Sequence, residues 1–414
     1  MSILPLARII SLGLVCHAGI AFADPAPQFG TLLAQARGRA PVLAQSESDV
    51  ARAEGLARQG ALRPNPVAEV TVEDFGGTGP LQTFRSAQTT ARFGLPLELG
   101  GKRPARIAAG RAAVDAALAR YTVAGFDYAF NLASAYAAAE AAAARLALAT
   151  EAVALAGDDV RVATALVRAG KEADLRRVQA ETARQAALAA LETARAENAT
   201  ALAQLSALAG VADPFTSVPP SLFPHADLVV PLLQPNPLTT PKYLAAVAER
   251  EAALRRVRVE RTKRFPDLTV SLGVRRNEAD NAGALVAGIS VPLPLFDRNQ
   301  GNIAAAAAEE SGAAAALRAA RLDAESGIRS AQARLEASFS RVRASQLGEQ
   351  TAEEAYRLSR IGYEGGKLPL SEVLLARRAL SDARSATIDA RIERLSAEAE
   401  LARLAGQIPF GDVR

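Results

Sequence analysis

An internal duplication constrains this chain more than any other feature. Pro41 and Pro66 bracket a charged, Ala-rich helical segment, and Pro241 and Pro266 bracket another at an offset of 200 residues. Each second proline leads into a strand-like run, Val67-Ala68-Glu69-Val70-Thr71-Val72 and Asp267-Leu268-Thr269-Val270-Ser271-Leu272. Later landmarks recur at an offset of 196: Leu95-Pro96-Leu97 with Val291-Pro292-Leu293, Gly170-Lys171 with Gly366-Lys367, and Leu208-Ala209-Gly210 with Leu404-Ala405-Gly406. The offset changes only between the two strands of each copy. A loop of variable length therefore follows Asp74 and Arg276, because packed elements resist insertions that exposed loops tolerate. Length alone would divide 414 residues into two or three domains. The repeat instead predicts one unit used twice, residues 24–210 and 241–406, joined by a Pro-rich connector over 211–240 and followed by a tail over 407–414.

Each copy reads helix, strand hairpin, long helix, tight turn, helix. In the second copy Leu268, Val270, Leu272 and Val274 alternate with Thr269, Ser271, Gly273 and Arg275, giving one apolar and one polar face. Its partner alternates Leu285, Ala287, Ile289, Val291 and Leu293 with small or polar residues. The first copy does the same with Val70 and Val72, then Ala87, Ala91, Phe93 and Leu95. The strand hairpins are predicted at about 67–97 and 267–295. Strands of about 9 to 11 residues cross a bilayer when tilted. A soluble sheet with one wet face shows the same alternation, and only Phe75, Phe84, Phe93 and Phe265 are candidates for aromatic girdles.

The helices argue for length. No proline interrupts the chain after Pro104 as far as Arg168, or from Gly301 to Glu364. Leu118, Gly125, Leu132, Ala139, Leu146, Val153, Val160 and Val167 recur every seven residues, beside a smaller series from Tyr121 through Ala163. The second copy repeats the small series as Ala324, Ala331, Ser338, Ser345, Ala352 and Ser359, and the large one less cleanly as Ile328, Leu335, Val342 and Tyr356, with Glu349 intruding. Sustained heptads imply a left-handed supercoil. A 65-residue helix is roughly 100 Å long and must pack laterally on other long helices. Two helical hairpins are predicted, about 104–209 and 301–405, with tips at Arg168-Ala169-Gly170-Lys171 and Tyr363-Glu364-Gly365-Gly366-Lys367.

Composition mainly excludes. Met1 to Ala23 has one charge, Arg8, a short apolar core and the small-residue ending Ala21-Phe22-Ala23, the pattern of a cleaved signal peptide over 1–23. It would remove Met1, Cys16 and His17 together, leaving a mature chain with His225 as its one His. Thiolate catalysis, disulfides and soft-metal sites built on Cys, Met or several His are then excluded. Lipidation of Cys16 is disfavoured because Leu14-Val15 lacks the small residue that usually precedes a lipidated Cys. The net charge of +4 is interleaved along helical segments, unlike a nucleic-acid footprint. We expect no catalytic residues and no cofactor. His225 reads as a solvated loop residue, and most of the many carboxylates as solubilising groups on helix faces.

Four strands leave two open edges, whereas the smallest membrane barrels have eight. The chain must oligomerise if its strands span a membrane. The two-hairpin plan, with Arg63-Pro64-Asn65-Pro66 before the first strand, resembles the TolC-like outer-membrane factors of Gram-negative tripartite efflux systems. Glu98-Leu99-Gly100-Gly101-Lys102-Arg103 and Pro292-Leu293-Pro294-Leu295-Phe296-Asp297-Arg298-Asn299-Gln300-Gly301 resemble the heavy-metal-efflux, CzcC-like branch. The resemblance implies an α + β membrane protein: a homotrimer with a twelve-stranded outer-membrane β-barrel, four strands per chain, continued by a periplasmic α-helical coiled-coil barrel. It further implies a passive channel served by a periplasmic adaptor and an inner-membrane RND pump, exporting heavy-metal cations. The tip turns Arg168, Gly170, Lys171, Tyr363, Gly365, Gly366 and Lys367 would meet the adaptor. Glu172, Asp174, Glu364 and Glu372 are the candidate gate or selectivity ring. Two alternatives stay open: the same channel serving drug efflux or type I secretion, and a periplasmic coiled-coil adaptor or interaction protein.

Overall fold

The computed structural model describes residues 24–228 and 233–411. The expected signal peptide, with Cys16, lies outside the described residues. Seven helices and four strands follow in chain order among those described: α1 Phe29–Arg37, α2 Pro41–Gly60, β1 Val67–Glu73, β2 Gln88–Leu97, α3 Lys102–Arg168, α4 Asp174–Leu208, α5 Pro241–Lys263, β3 Leu268–Asn277, β4 Ala282–Ser290, α6 Gln300–Glu364 and α7 Leu370–Leu404.

The strands form a single antiparallel sheet in the order β1-β2-β3-β4. Its central pairing, β2 with β3, joins the two copies, so the repeats are halves of one sheet rather than separate domains. Register builds the two faces. Val70, Ala91, Val274 and Leu285 form one row across the sheet, and Ala68, Phe93, Leu272 and Ala287 the next. On the other face Thr71, Thr90 and Arg275 share a row, and Glu69 pairs with Arg92. The polar face is tightly packed: a Cβ added at Gly273 would lie 2.4 Å from the Ala91 carbonyl oxygen, and one at Gly288 2.9 Å from Ser271 Oγ. Glycine is needed there because no side chain fits between neighbouring strands. The apolar face is bare, with Leu272, Leu285 and Ile289 all exposed. The ladder stops at Ser290, short of the expected 295, because Pro292 and Pro294 offer no N–H to continue it.

The helices form a wall. α3 and α6, of 67 and 65 residues, run its whole length, roughly 100 Å. Beside them, shorter helices stack end to end. A Cβ at Gly210, past the end of α4, would meet Arg39 at 3.0 Å, and one at Gly406, past α7, would meet Pro241 at 3.3 Å. α4 thus continues into α2, and α7 into α5, with each C-terminus facing an N-terminus so that opposite dipole ends meet. The heptad seam is buried in the second copy at Ile328, Leu335, Val342 and Tyr356, with Ala324, Ala331, Ser338 and Ser359 beside them. In the first copy it buries Leu132, Ala139, Ala142, Ala156 and Ala163 but leaves Leu118 and Tyr121 exposed near the sheet. Among the described residues no helix is long and apolar enough to cross a membrane.

Candidate functional site

Three regions hold the candidate residues and their surroundings: the corner where sheet becomes helix, the middle of the helical wall, and the tips. The sequence motifs fall on the corner. Arg106 forks onto the Glu98 carboxylate and also donates to the carbonyls of Gly60, at 2.8 Å, and Leu62, at 3.0 Å. Arg103 donates to Ala61 O at 2.8 Å, and Lys102 pairs with Asp267 at 2.7 Å. One basic run at the start of α3 thereby fastens the end of α2, the end of β2 and the start of β3. Gly100 sits at φ 70°, and a Cβ there would lie 2.6 Å from the Phe265 ring, so both its conformation and its space demand glycine. In the second copy Asn299 takes the left-handed position at φ 61°, and its amide donates to Glu260 O at 2.8 Å and to the Glu260 carboxylate at 2.9 Å. A Cβ added at Gly301 would meet nothing within 4 Å beyond its own helix. Arg63, Pro64, Asn65 and Pro66 form the exposed lead into β1, and Phe296 is 92% exposed after β4.

The middle of the wall holds what the sequence did not reveal. The connector crosses α3, α6 and α7 as a strap. Buried Glu140 on α3 accepts the N–H groups of Ser221, Leu222 and Phe223, each at 2.7 Å. Burial pushes this carboxyl above the ordinary Glu range, against the opposite pull of those three donors. The Tyr136 hydroxyl is shared between Pro27 O at 3.0 Å and Pro219 O at 3.2 Å. On α7, Arg394 donates to the carbonyls of Ala226 and Leu228 and stacks over Phe339 on α6 at 4.2 Å. Asp227 pairs with Arg391 at 2.9 Å and accepts from Gln346 of α6 at 2.8 Å.

The expectation that His225 is solvated is wrong. Its Nε2 lies 2.7 Å from Glu398, and its ring meets Phe410 edge-on at 5.2 Å. Glu140 is an exception to the expectation that most carboxylates are solubilising. It follows Ala139 of the heptad, so a charge beside the seam was its only signal.

Both tips close in the same way. Gly170 donates to Val167 O and Lys171 to Leu166 O, each at 3.0 Å, while Gly366 donates to Tyr363 O at 2.9 Å and Lys367 to Gly362 O at 2.8 Å. This is the paired-bond cap in which a left-handed glycine ends a helix. Gly365 is the residue before it, at ordinary negative φ.

Three of the four candidate carboxylates pair with an arginine three or four residues away in the chain. Glu172 meets Arg176 at 3.7 Å, Asp174 meets Arg177 at 2.8 Å and Glu364 meets Arg360 at 3.2 Å. The Arg177 hydrogen bond holds Asp174 below the usual carboxylate range. Glu372, Arg168, Lys171 and Lys367 are exposed.

Below them lies a group that the sequence reading missed. Asp159 of α3 pairs with Arg377 of α7 at 2.6 Å, both side chains largely buried. Burial raises the Asp159 carboxyl, with Arg377 pulling it back. Tyr356 and Tyr363 pack beside Leu370, Val373 and Leu380, and the Tyr363 hydroxyl is buried without a partner among the described residues.

An amphipathic sheet open at both edges, continued by a wall of helices roughly 100 Å long, defines the subunit of an outer-membrane channel. The chain belongs to the outer membrane efflux protein family, whose profile matches residues 32–211 and 239–407, one match on each copy of the repeat. It is 40% identical over 396 residues to the nickel-cobalt-cadmium resistance protein NccC of Alcaligenes xylosoxydans xylosoxydans, covering 95% of this chain and 89% of that protein. It is 33% identical over 350 residues to the cobalt-zinc-cadmium resistance protein CzcC of Cupriavidus metallidurans, covering 83% and 81%. Among solved structures, the outer membrane protein VceC of Vibrio cholerae superposes with a TM-score of 0.74 at 22% identity, over 92% of this chain and 96% of VceC. CusC gives 0.78 at 18% identity, over 97% and 99%. At these identities the structures speak to the fold alone.

Proposed function

We propose that this protein is the passive outer-membrane exit duct of a tripartite RND-type efflux system for divalent heavy-metal cations. It works as a homotrimer that receives cargo through a periplasmic adaptor from an inner-membrane pump. The observation that carries the channel is the sheet, apolar on one face, polar and glycine-packed on the other, and unpaired at β1 and β4. Three such sheets side by side make a twelve-stranded barrel with no free edge. The apolar face meets lipid and the polar face, with Glu69, Arg92, Thr90 and Arg275, lines the lumen.

The metal assignment is supported by the names of the relatives, which include nickel, cobalt, cadmium and zinc. Among the described residues no group of three or more His, Cys, Asp or Glu stands together to hold a metal ion. That suits a cargo that must pass and not stay, with energy and selection supplied by the pump. In a trimer each tip carboxylate becomes a ring of three. Glu172, Asp174, Glu364 and Glu372 would then draw cations toward the entrance, and Asp159 with Arg377 would tie α3 to α7 behind it.

A deletion strain complemented with the wild-type gene tests this. Tolerance to nickel, cobalt or cadmium should return, with tolerance to organic antibiotics unchanged. Recovery of antibiotic tolerance alone would support the drug-efflux reading instead. A soluble periplasmic monomer, without the heat-dependent migration of a barrel protein, would support an adaptor.

A further inference from the structure

At the helical end of the sheet every carboxylate is already engaged. Glu98 is held by Arg106, Asp267 by Lys102, Glu260 by Lys263 and Asn299, and Asp297 by the Asn299 N–H at 2.8 Å. Besides Arg58 and Arg261 in the last turns of α2 and α5, three exposed cations that flank the strands have no carboxylate partner among the described residues: Arg63 before β1, Arg264 before β3 and Arg298 after β4. Each stands beside an exposed apolar side chain, Leu62, Phe265 and Phe296 respectively. The Arg264 guanidinium lies over the Phe265 ring at 4.8 Å. The opposite end of the sheet has the reverse balance, with Glu73, Asp74, Glu278 and Asp280 around its loops against Arg85 and Arg276.

We propose that this end is a binding collar for anionic phospholipid headgroups in the bilayer leaflet facing the helices. The inference rests on the trimeric barrel proposed above. When that ring closes, β4 of one chain lies beside β1 of the next. Arg298 and the next chain's Arg63 are then brought to the same boundary, at the same height. Two guanidinium forks suit the oxygens of one phosphodiester. Phe296 and Leu62 beside them extend the apolar belt of the sheet to the depth of the acyl chains. Charge therefore selects the headgroup, and the apolar pair selects a lipid over a free anion.

The test is native mass spectrometry of protein released from vesicles of phosphatidylethanolamine containing phosphatidylglycerol. Wild-type trimer should retain phosphatidylglycerol in preference to phosphatidylethanolamine. An Arg63→Gln/Arg298→Gln variant should lose roughly thirtyfold of that retention, as expected for removing two membrane-facing cations. Arg85→Gln, at the loop end, should keep it. Retention unchanged in the double variant would overturn the collar, and so would displacement of the lipid by inorganic phosphate. The same spectrum reports assembly. A trimer without lipid preference defeats the collar alone, whereas a monomer defeats the ring on which it rests.

Discussion

The strap and the tips use similar residue types to opposite ends. At the strap, charges are buried and spent on backbone: Glu140 takes three N–H groups and Arg394 two carbonyls, so the connector is pinned to α3 and α7 by bonds that water cannot replace. At the tips, the candidate carboxylates that pair do so with arginines three or four residues away, in contacts that stay at least partly exposed. One buried pair, Asp159 with Arg377, crosses between helices there, next to a tyrosine hydroxyl with no partner among the described residues. Buried groups that make several bonds each rigidify, as at the strap, although Arg394 Nε and Glu398 Oε2 are buried there without a partner among the described residues, while exposed pairs contribute little and exchange readily. The wall is thus fixed at its middle and held less firmly at its tips.

The largest effect should come from Glu140→Ala. It strands three buried N–H groups and should cost on the order of 3 kcal/mol or more, read as a drop in the denaturant midpoint of the trimer. A midpoint equal to wild type would mean that the strap does not hold the wall. Asp159→Ala should cost less, about 2–3 kcal/mol, because Arg377 retains some access to water. Its functional effect should be the greater one, a rise in the open fraction of single channels in a planar bilayer. An unchanged open fraction would remove the pair from the gate.

The pH dependence of stability separates the two regions further. Glu140 and Asp159 are both raised in the folded protein by burial. Between the ordinary carboxylate range and those raised values the folded state holds protons that the unfolded chain has released. Stability is therefore fully present below that window and declines as pH climbs through it, by at most about 1.4 kcal/mol per pH unit for each group. Glu140→Gln should flatten its share of the slope. An unaltered profile would contradict the assignment. The smallest effect is predicted for Asp174→Ala with Glu372→Ala: no measurable change in midpoint, and weaker cation selectivity of the open channel. A large loss of stability would show that these carboxylates do more than line an entrance.

How much was legible in the sequence follows the same division. Strand alternation and the glycine tips are local patterns, repeated twice, and periodicity or a left-handed glycine suffices to read them. The corner motifs stood out in the sequence, but their task of fastening α2, β2 and β3 to one end of α3 became visible only in the fold. The strap and the Asp159–Arg377 pair were not legible. Glu140 and the N–H groups that donate to it are more than eighty residues apart, and Asp159 and Arg377 lie 218 apart. A carboxylate destined for burial looks the same in an Ala-rich helix as one destined for water. The misjudged His225 has that cause too, since nothing near it in the chain announces Glu398 or Phe410.

Everything above depends on the open sheet being one third of a closed barrel. Cysteine cross-linking between its two free edges tests this most directly, with Val70→Cys on β1 combined in turn with Leu285→Cys, Ala287→Cys and Ile289→Cys on β4. In at least one register, mild oxidation in outer-membrane fractions should yield a ladder on a denaturing gel that ends at the mass of three chains. Monomer in every register, or a ladder running past three, would contradict the account.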